Sequence, residues 1–516
     1  MKKTIQKPSV SFKPYHQHQT ELLPPSLEEL IPERHLVRVV NRFIEQMDLS
    51  ALFGSYRGGG TSSYHPRMML KVLIYAYVSK IYSSRQIAKA LREQIPFMWL
   101  SGNNRPDFRT LNRFRGERMK GVVDEVFSSL MELLVETGHV NLSTYFVDGS
   151  KFRADANKNS YIWRKNTLRY KARNQAAIQA LLSEIDAQNA AEESRYGDRD
   201  LEELGETSEL NSGMLETRIR ELNERLAARP KDRALKRVVR KLEQECLPRQ
   251  KKYEDQEQRL QGRNSSSKTD ADATFMRRKD DRLLPSYNVM LGTETQFIVG
   301  YSVHQQPSDS AVFMAHMEKS SVLRKGHLPA AVVGDAGFGS EENYHFLEQQ
   351  GIENYLKYNT FHREQGLKYR QDKFRKENFQ YDEASDSYQC QGGRRLEYLK
   401  SERSTTQNGY KTEEKIYECK DCSGCPFESR CCRAQGNRRI QVRPALDRYR
   451  QQARDNLKSE YGRKLRAQRS VDVETVFGDI KQNGQYRRIR LRGLDKVNLE
   501  FGLLSIAHNL KKIALS

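Results

Sequence analysis

Hydrophobic and polar positions alternate along this chain in distinct rhythms. From about Pro32 to Thr137 apolar residues recur at helical spacing. MMLKVLIYAYVSKIY (68–82) is nearly continuous in apolar residues, long enough for a buried helix. SSRQIAKALREQ (83–94) opens on a serine N-cap pair and sets Ile87, Ala88 and Leu91 at helical spacing. The period then changes, and STYFVDGSKFRADA (143–156) predicts strand, turn, strand. From about Trp163 to Gln261 the chain is charged and helical, with Leu215, Ile219, Leu222 and Leu226 every three or four residues, which predicts a helical hairpin or coiled-coil arm. RNSSSKTDADA (263–273) is a polar linker returning from it.

Strands resume in PSYNVMLGTETQFIVGYSVHQQ (285–306), a predicted hairpin turning at Gly292–Thr295. A helix over 308–325 capped by Ser308 or Asp309, a strand AVVG ending at Asp335, a helix over 340–351 with a serine cap and a glycine stop, and a strand over 352–358 follow. Residues 359–447 read as irregular, and the end from about Leu446 returns to helix. The order predicts an α/β protein built on a mixed sheet with helices on its faces. The expected segments are an extended 1–30, a helical 31–140, a core begun in 141–162 and resumed in 270–358, the arm 163–265, a basic cysteine-rich insertion 359–447, and a helical completion of the core in 448–516.

At 516 residues the chain exceeds what one core usually serves, so several modules are expected. Its 88 Lys+Arg against 67 Asp+Glu give a net charge of +21, which favours a polyanionic partner, nucleic acid first and an acidic membrane surface second. No apolar run approaches the ~18 residues needed to span a bilayer, and the lysine pair at the N-terminus has no apolar stretch behind it. A soluble, cytoplasmic protein is expected, with no membrane partner. Absence of GxxxxGK[ST] argues against a nucleotide cofactor.

Two aspartates stand in the same setting. Asp148 closes the apolar run Tyr145–Val147, Asp335 closes Ala331–Val333, and a glycine lies beside each. Either is compatible with plain turn chemistry. On central strands about 4.8 Å apart, both would point into one crevice. Converging carboxylates repel unless a cation lies between them, and Mg²⁺ (or Mn²⁺) suits oxygen ligands of this kind. Two such ions would stabilise the entering and leaving oxygens of a phosphoryl displacement. A third acid comes from RSVDVETVFGDIKQNGQYRRIRLRG (469–493): Glu474 borders the apolar stripe of Val473, Val476, Phe477 and Ile480, with Lys481 seven residues on along the same face. Asp472 and Asp479 compete for this role.

Basic residues cluster in two further stretches. Arg109, Arg113, Arg115 and Arg118 stud the second of two short helices, in either a helix-turn-helix-like DNA module or a solvated bundle face. Arg487, Arg488, Arg490 and Arg492 follow Lys481, with Tyr486 in between, and would track a DNA backbone, as an irregular segment or a basic-faced strand. ECKDCSGCPFESRCC sets Cys419, Cys422, Cys425, Cys431 and Cys432 at spacings that suit a structural Zn²⁺ site, with Cys390 upstream as a further donor; an iron–sulfur cluster and reduced unliganded thiols are the alternatives.

In their order, FVDGSKFRADANKNSYIWRK, GDAGFGSEENY and RSVDVETVFGDIKQNGQYRRIRLRG resemble the three acidic blocks of DDE-type bacterial insertion-sequence transposases, of the cut-and-paste branch with an N-terminal helical domain and a cysteine-bearing insertion. The resemblance implies a ribonuclease-H-like core, Asp148, Asp335 and Glu474 as a metal-binding catalytic triad, and Arg469 and Lys481 contacting DNA near the scissile phosphate. It departs in one respect: no tyrosine stands close upstream of Glu474. The implied activity is cleavage at the element's ends and joining of the 3′-OH to target DNA. A nuclease of the same fold and a non-catalytic DNA-binding relative are the alternatives. The implied partners are the element's terminal repeats, target DNA and a second copy of the chain, and the implied location is the bacterial cytoplasm, on the nucleoid when bound.

Overall fold

A computed structural model describes residues 25–56, 63–196, 210–278, 280–406, 408–432 and 436–515; most of the expected extended segment 1–30 lies outside them. The chain is a mixed α/β structure. Its central sheet contains β1 (Thr144–Arg153), then, after the two-stranded ribbon of β2 (Tyr161–Trp163) and β3 (Ser265–Ser267), β4 (Thr274–Arg277), β5 (Leu283–Glu294), β6 (Phe297–His304), β7 (Ala331–Gly334) and β8 (Glu353–Leu356). The order is β4-β5-β1-β7-β8, with β6 on the same side of β5 as β4. β5 runs antiparallel to both β1 and β6, while β1, β7 and β8 are parallel.

Two local expectations fail here. Asp148-Gly149 is not a turn: residues 144–153 form one strand, paired with β5 from Phe146↔Thr293 to Arg153↔Ser286. Eight consecutive cross-strand pairs override the turn preference of one dipeptide. The glycine is required for closeness instead, since a Cβ at Gly149 would lie 2.6 Å from Asp309 Oδ1 and 2.9 Å from Met290 Sδ. The β5–β6 hairpin likewise turns later than expected, at Thr295 and Gln296, both left-handed (φ 50° and 62°). Gly292 lies within the strand, paired with Val147 and Gly300, and only glycine fits there because a Cβ would sit 1.7 Å from the Tyr145 ring.

One hydrophobic core joins the N-terminal helices, the sheet and the C-terminal helices. The apolar run at 68–82 becomes the helix Pro66–Val78, buried along most of its length. It packs, as do β6 and the helix Val122–Glu136, against the C-terminal helix Leu494–Ile513. Buried Glu500 of that helix accepts the backbone N–H groups of Arg490 and Leu491, each at 3.0 Å, so its carboxylate fixes the chain just before the helix. The arm comprises Arg164–Tyr196, Ser212–Ala228, Arg233–Lys241 and Leu247–Leu260 around its own small core, including Ile178, Leu182, Leu222 and Val238. Its supposed polar linker contains β3, whose three serines are buried.

Residues 359–447 are not irregular. They carry an antiparallel sheet of β9 (Gln380–Asp382), β10 (Ser387–Gln389), β11 (Arg395–Thr405), β12 (Lys411–Cys419) and β13 (Arg439–Val442). Its strands are largely exposed and charged, so apolar alternation is weak; only a few side chains, among them Leu396, Tyr417 and Ile440, form its core. Among the described residues no helix is long and apolar enough to cross a membrane.

Candidate active site

The register of the central sheet brings Asp148 and Asp335 to one level. Phe146 of β1 pairs with Val333 of β7; Asp148 lies two residues further along β1, and Asp335 lies two residues further along the chain, just past the end of β7. Side chains two apart in a strand share a face, so Asp148 leaves the side of the sheet that carries Phe146, and the Asp335 charge reaches its carboxyl. That side faces the C-terminal helices: Ser150 accepts a hydrogen bond from Lys481, and Phe152 packs on Phe477 and Phe501 with ring centroids at 6.3 and 4.8 Å. The opposite side of β1 faces the helix Asp309–Leu323, where Lys151 meets Asp309 at 2.7 Å and Tyr145 donates to Ser320 at 2.8 Å.

Glu474 comes from the covering helical run 460–483, which contains two π-helical turns, Ser470–Glu474 and Asp479–Asn483. Such widened turns are frequent at functional sites because they re-aim individual side chains. Glu474 is exposed and accepts from Arg469 Nη2 at 2.9 Å. Lys481 lies 4.4 Å from the Phe152 ring centroid, which orients its ammonium toward β1. The competing acids are engaged elsewhere. Asp472 is buried and accepts the Gln296 N–H at 2.9 Å. Asp479 is held by His508, Asn483 and Lys511, and the His508 hydrogen bond is the chief cause that keeps its carboxyl well below the usual range.

Electrostatics ties these groups together. Burial pushes the Asp148 carboxyl up to about 6; the Arg469 charge pulls it back, and the Asp335 and Asp309 charges raise it again. Asp335 accepts the Gly337 N–H at 2.8 Å. Asp309, which the sequence marks only as a helix start, accepts from Lys151 and Asn288 at 2.7 Å each, so its charge is balanced on the other face. Among the described residues no three histidine, cysteine, aspartate or glutamate side chains are grouped to hold a metal ion as they stand. The donor set nonetheless suits a hard divalent cation: oxygen ligands alone, among them an Asp148 carboxyl that burial first, and the neighbouring acids after it, make costly to ionise.

The predicted DNA-contacting arginines fall into three settings. Arg109 and Arg113 are exposed and line a groove of about 610 Å³ together with Arg85, Arg490 and Lys496. That groove joins the N-terminal helices to the C-terminal tract, a union no local pattern announces. Arg115 lines the same groove but is buried, with Nη1 donating to Tyr82 O at 2.9 Å and Nη2 to Asn112 Oδ1 at 3.1 Å. Its guanidinium therefore braces the turn after the helix Pro66–Val78. Arg487 donates to Gln482 Oε1 at 3.0 Å, while Arg488 and Arg492 both pair with Asp155. Arg488 also bridges Arg153, continuing the edge of β1 beyond the end of β7.

Six cysteines, Cys390, Cys419, Cys422, Cys425, Cys431 and Cys432, line one small cavity of about 20 Å³ beside β11 and β12. Burial pushes the Cys419 thiol up to about 11, with Cys422 and Cys390 adding to the effect. The backbone N–H of Arg438 donates to Cys422 Sγ at 3.3 Å. Cys246 is buried apart from these, in the arm.

Comparison with known proteins adds two regions. Residues 389–514, which include the cysteines and Glu474, match the family described as transposase DDE domain, and residues 25–117 match the family described as transposase domain (DUF772). Over 114 residues the chain is 31% identical to the probable transposase for insertion sequence element ISH11 of Halobacterium salinarum, in each of two strains. That alignment covers 22% of this chain and 32% of the relative, so the chain spans about a third of the length of the curated relatives it matches.

Proposed function

From the premise that this chain belongs to the DDE-type insertion-sequence transposases, we propose that it cuts DNA at the ends of its element and joins the resulting 3′-OH to target DNA. The observation that carries this reading is the closeness of Asp148, on β1, to Asp335, just past the end of the adjacent parallel strand β7, beneath the helical run that bears Glu474. The strand order β6-β5-β1-β7-β8, antiparallel on one side of β1 and parallel on the other, supports a ribonuclease-H-like core.

Asp148, Asp335 and Glu474 would hold two divalent ions, Mg²⁺ or Mn²⁺. Bound there, these supply charge stabilisation for the phosphoryl transfer and raise the acidity of the attacking water or hydroxyl. Water attacks a phosphodiester at the element end and releases a 3′-OH. That 3′-oxygen then forms a bond to phosphorus in target DNA as the bond from phosphorus to the displaced 3′-oxygen breaks. One phosphodiester replaces another, so ATP is not needed. Lys481, directed over β1 by the Phe152 ring, and Arg469 offer positive charge to the phosphate. The protein's share is orientation and preorganised charge.

The groove of Arg109, Arg113 and Arg490 supports backbone binding of duplex DNA along a line from the N-terminal helices to the C-terminal tract. The cysteine pocket supports a structural Zn²⁺, with the Arg438 N–H as the partner a bound thiolate needs. A homodimer, one copy for each end, follows from the task of joining two ends; light scattering with end DNA reads it directly. The deciding experiment incubates protein, Mg²⁺ and labelled element ends with a plasmid. Joined products sustain the proposal, nicks alone reduce it to a nuclease, and a Mg²⁺-independent shift alone leaves a DNA-binding protein.

A further inference from the structure

The acidic crevice has a basic wall of which the sequence named only Arg469. β7 and β8 pair in parallel with Gly334 opposite Leu356, so the next position sets Lys357 beside Asp335, just past the ends of both strands. Lys357 N donates to Gly334 O at 3.3 Å, which holds that register one residue past the strand. The charges of Arg469, Arg466, Asp335 and Glu474 all act on the Lys357 ammonium. Arg466 and Arg469 lie three residues apart on the helix Glu460–Arg469 and so share a face.

Their hydrogen bonding is incomplete. Arg469 is 9% exposed; Nη2 is bonded to Glu474, but the buried Nη1 has no acceptor among the described residues. Arg466 rests on the Phe361 ring at 5.2 Å, and its buried Nε also has no acceptor among them. Leaving a buried charged donor without an acceptor costs more than an ordinary lost hydrogen bond, and at the rim of the acids these two nitrogens can take an oxygen that arrives with a ligand. Among carboxylate neighbours, the oxygen that three cations attract without adding a further acid to the ligand set is that of a phosphate.

We infer that Lys357, Arg466 and Arg469 form a cradle for the non-bridging oxygens of one phosphate of the DNA strand lying in this crevice. Arg469 spans the two halves of the site, one nitrogen on Glu474 and the other on the phosphate, so strand binding and the orientation of Glu474 are coupled. The inference rests on the transposase reading, since that reading brings a phosphodiester to the acids.

The test uses the full-length protein and a duplex carrying one element end, cut from the DNA that flanks the gene, with Ca²⁺ in place of Mg²⁺. The linkage at the cleavage position is either an ordinary phosphodiester or a charge-neutral methylphosphonate. Neutralising it should weaken wild-type binding about tenfold, the size of one charge-assisted hydrogen bond. Lys357→Gln should weaken binding to the ordinary linkage by a similar factor and show little further loss with the neutral one; Lys357→Arg should restore most of the difference. Independent, multiplying losses, or wild-type affinity in Lys357→Gln, would overturn the inference. Failure of the wild-type protein to bind end DNA would instead overturn the transposase reading, which separates the two outcomes.

Discussion

Replacing Asp148 by Asn should stabilise the metal-free protein while destroying its activity. Burial first, then the Asp335 and Asp309 charges, raise the Asp148 carboxyl from an ordinary 3.8 to about 6, net of the relief given by Arg469 and the Gly149 N–H. At about 1.4 kcal/mol per pH unit, holding this side chain ionised in the fold costs roughly 3 kcal/mol, and solvent contact with its partly exposed atoms reduces this to about 1–3 kcal/mol. The folded state binds the proton more tightly than the unfolded chain, so the penalty is absent below about pH 4, grows as pH rises, and is complete above about pH 6. In EDTA at pH 8, Asp148→Asn should therefore melt higher than wild type, by about 2–4 °C per kcal/mol for a cooperative unit of ordinary size. The gap should close toward pH 4. Adding Mg²⁺ should raise the melting point of wild type at pH 8 and leave the variant nearly unmoved. A variant that melts at or below wild type at pH 8, or a gap that ignores pH, would refute the argument that these acids are crowded for a cation.

Gly149→Ala should cost about 1–3 kcal/mol and most of the activity, because the new methyl meets Asp309 and Met290 inside 3 Å; an unchanged melting point would count against the close approach. Neutralising Arg109, Arg113 and Arg490 together should lower the slope of log affinity against log salt by about 0.9 for each phosphate that is no longer neutralised, and an unchanged slope would remove the groove from the DNA path. If the cysteine pocket holds Zn²⁺, wild type should contain about one Zn²⁺ per chain by elemental analysis and Cys422→Ser should lose it. The substitution should also open β9–β13 to limited proteolysis; a metal-free wild type would end that reading. Glu500→Ala leaves the N–H groups of Arg490 and Leu491 without their acceptor inside the core, and should destabilise by about 3 kcal/mol or more; a loss under about 1 kcal/mol would show that the segment is fixed by other interactions.

Much of the element order was legible, because long apolar runs and cap residues act locally. The helix Pro66–Val78, the Ser340 cap and the strand before Asp335 all follow from spacing and turn chemistry. The acids could be nominated because a carboxylate closing an apolar run is costly unless something uses it. By spacing, Glu474 was separable from Asp472 and Asp479 through Lys481 seven residues on, a weak signal that the resemblance to DDE-type transposases reinforced. The structure adds that Asp472 and Asp479 are engaged elsewhere, on Gln296 and on His508.

What the sequence alone determined was the set of local periods, the charge excess and the residue types available for chemistry. Tertiary structure decided everything that depends on register. It carried β1 straight through Asp148-Gly149, since eight pairs with β5 outweigh one dipeptide. It built a sheet from the charged strands of 359–447, gathered Cys390 with five distant thiols, and united Arg109 with Arg490 across one groove. It turned Arg115 inward and set Lys357 beside Asp335. Side-chain direction in a strand alternates with period two and pairing is non-local, so a lysine's neighbour across the sheet is fixed by chain closure, not by the residues on either side of it.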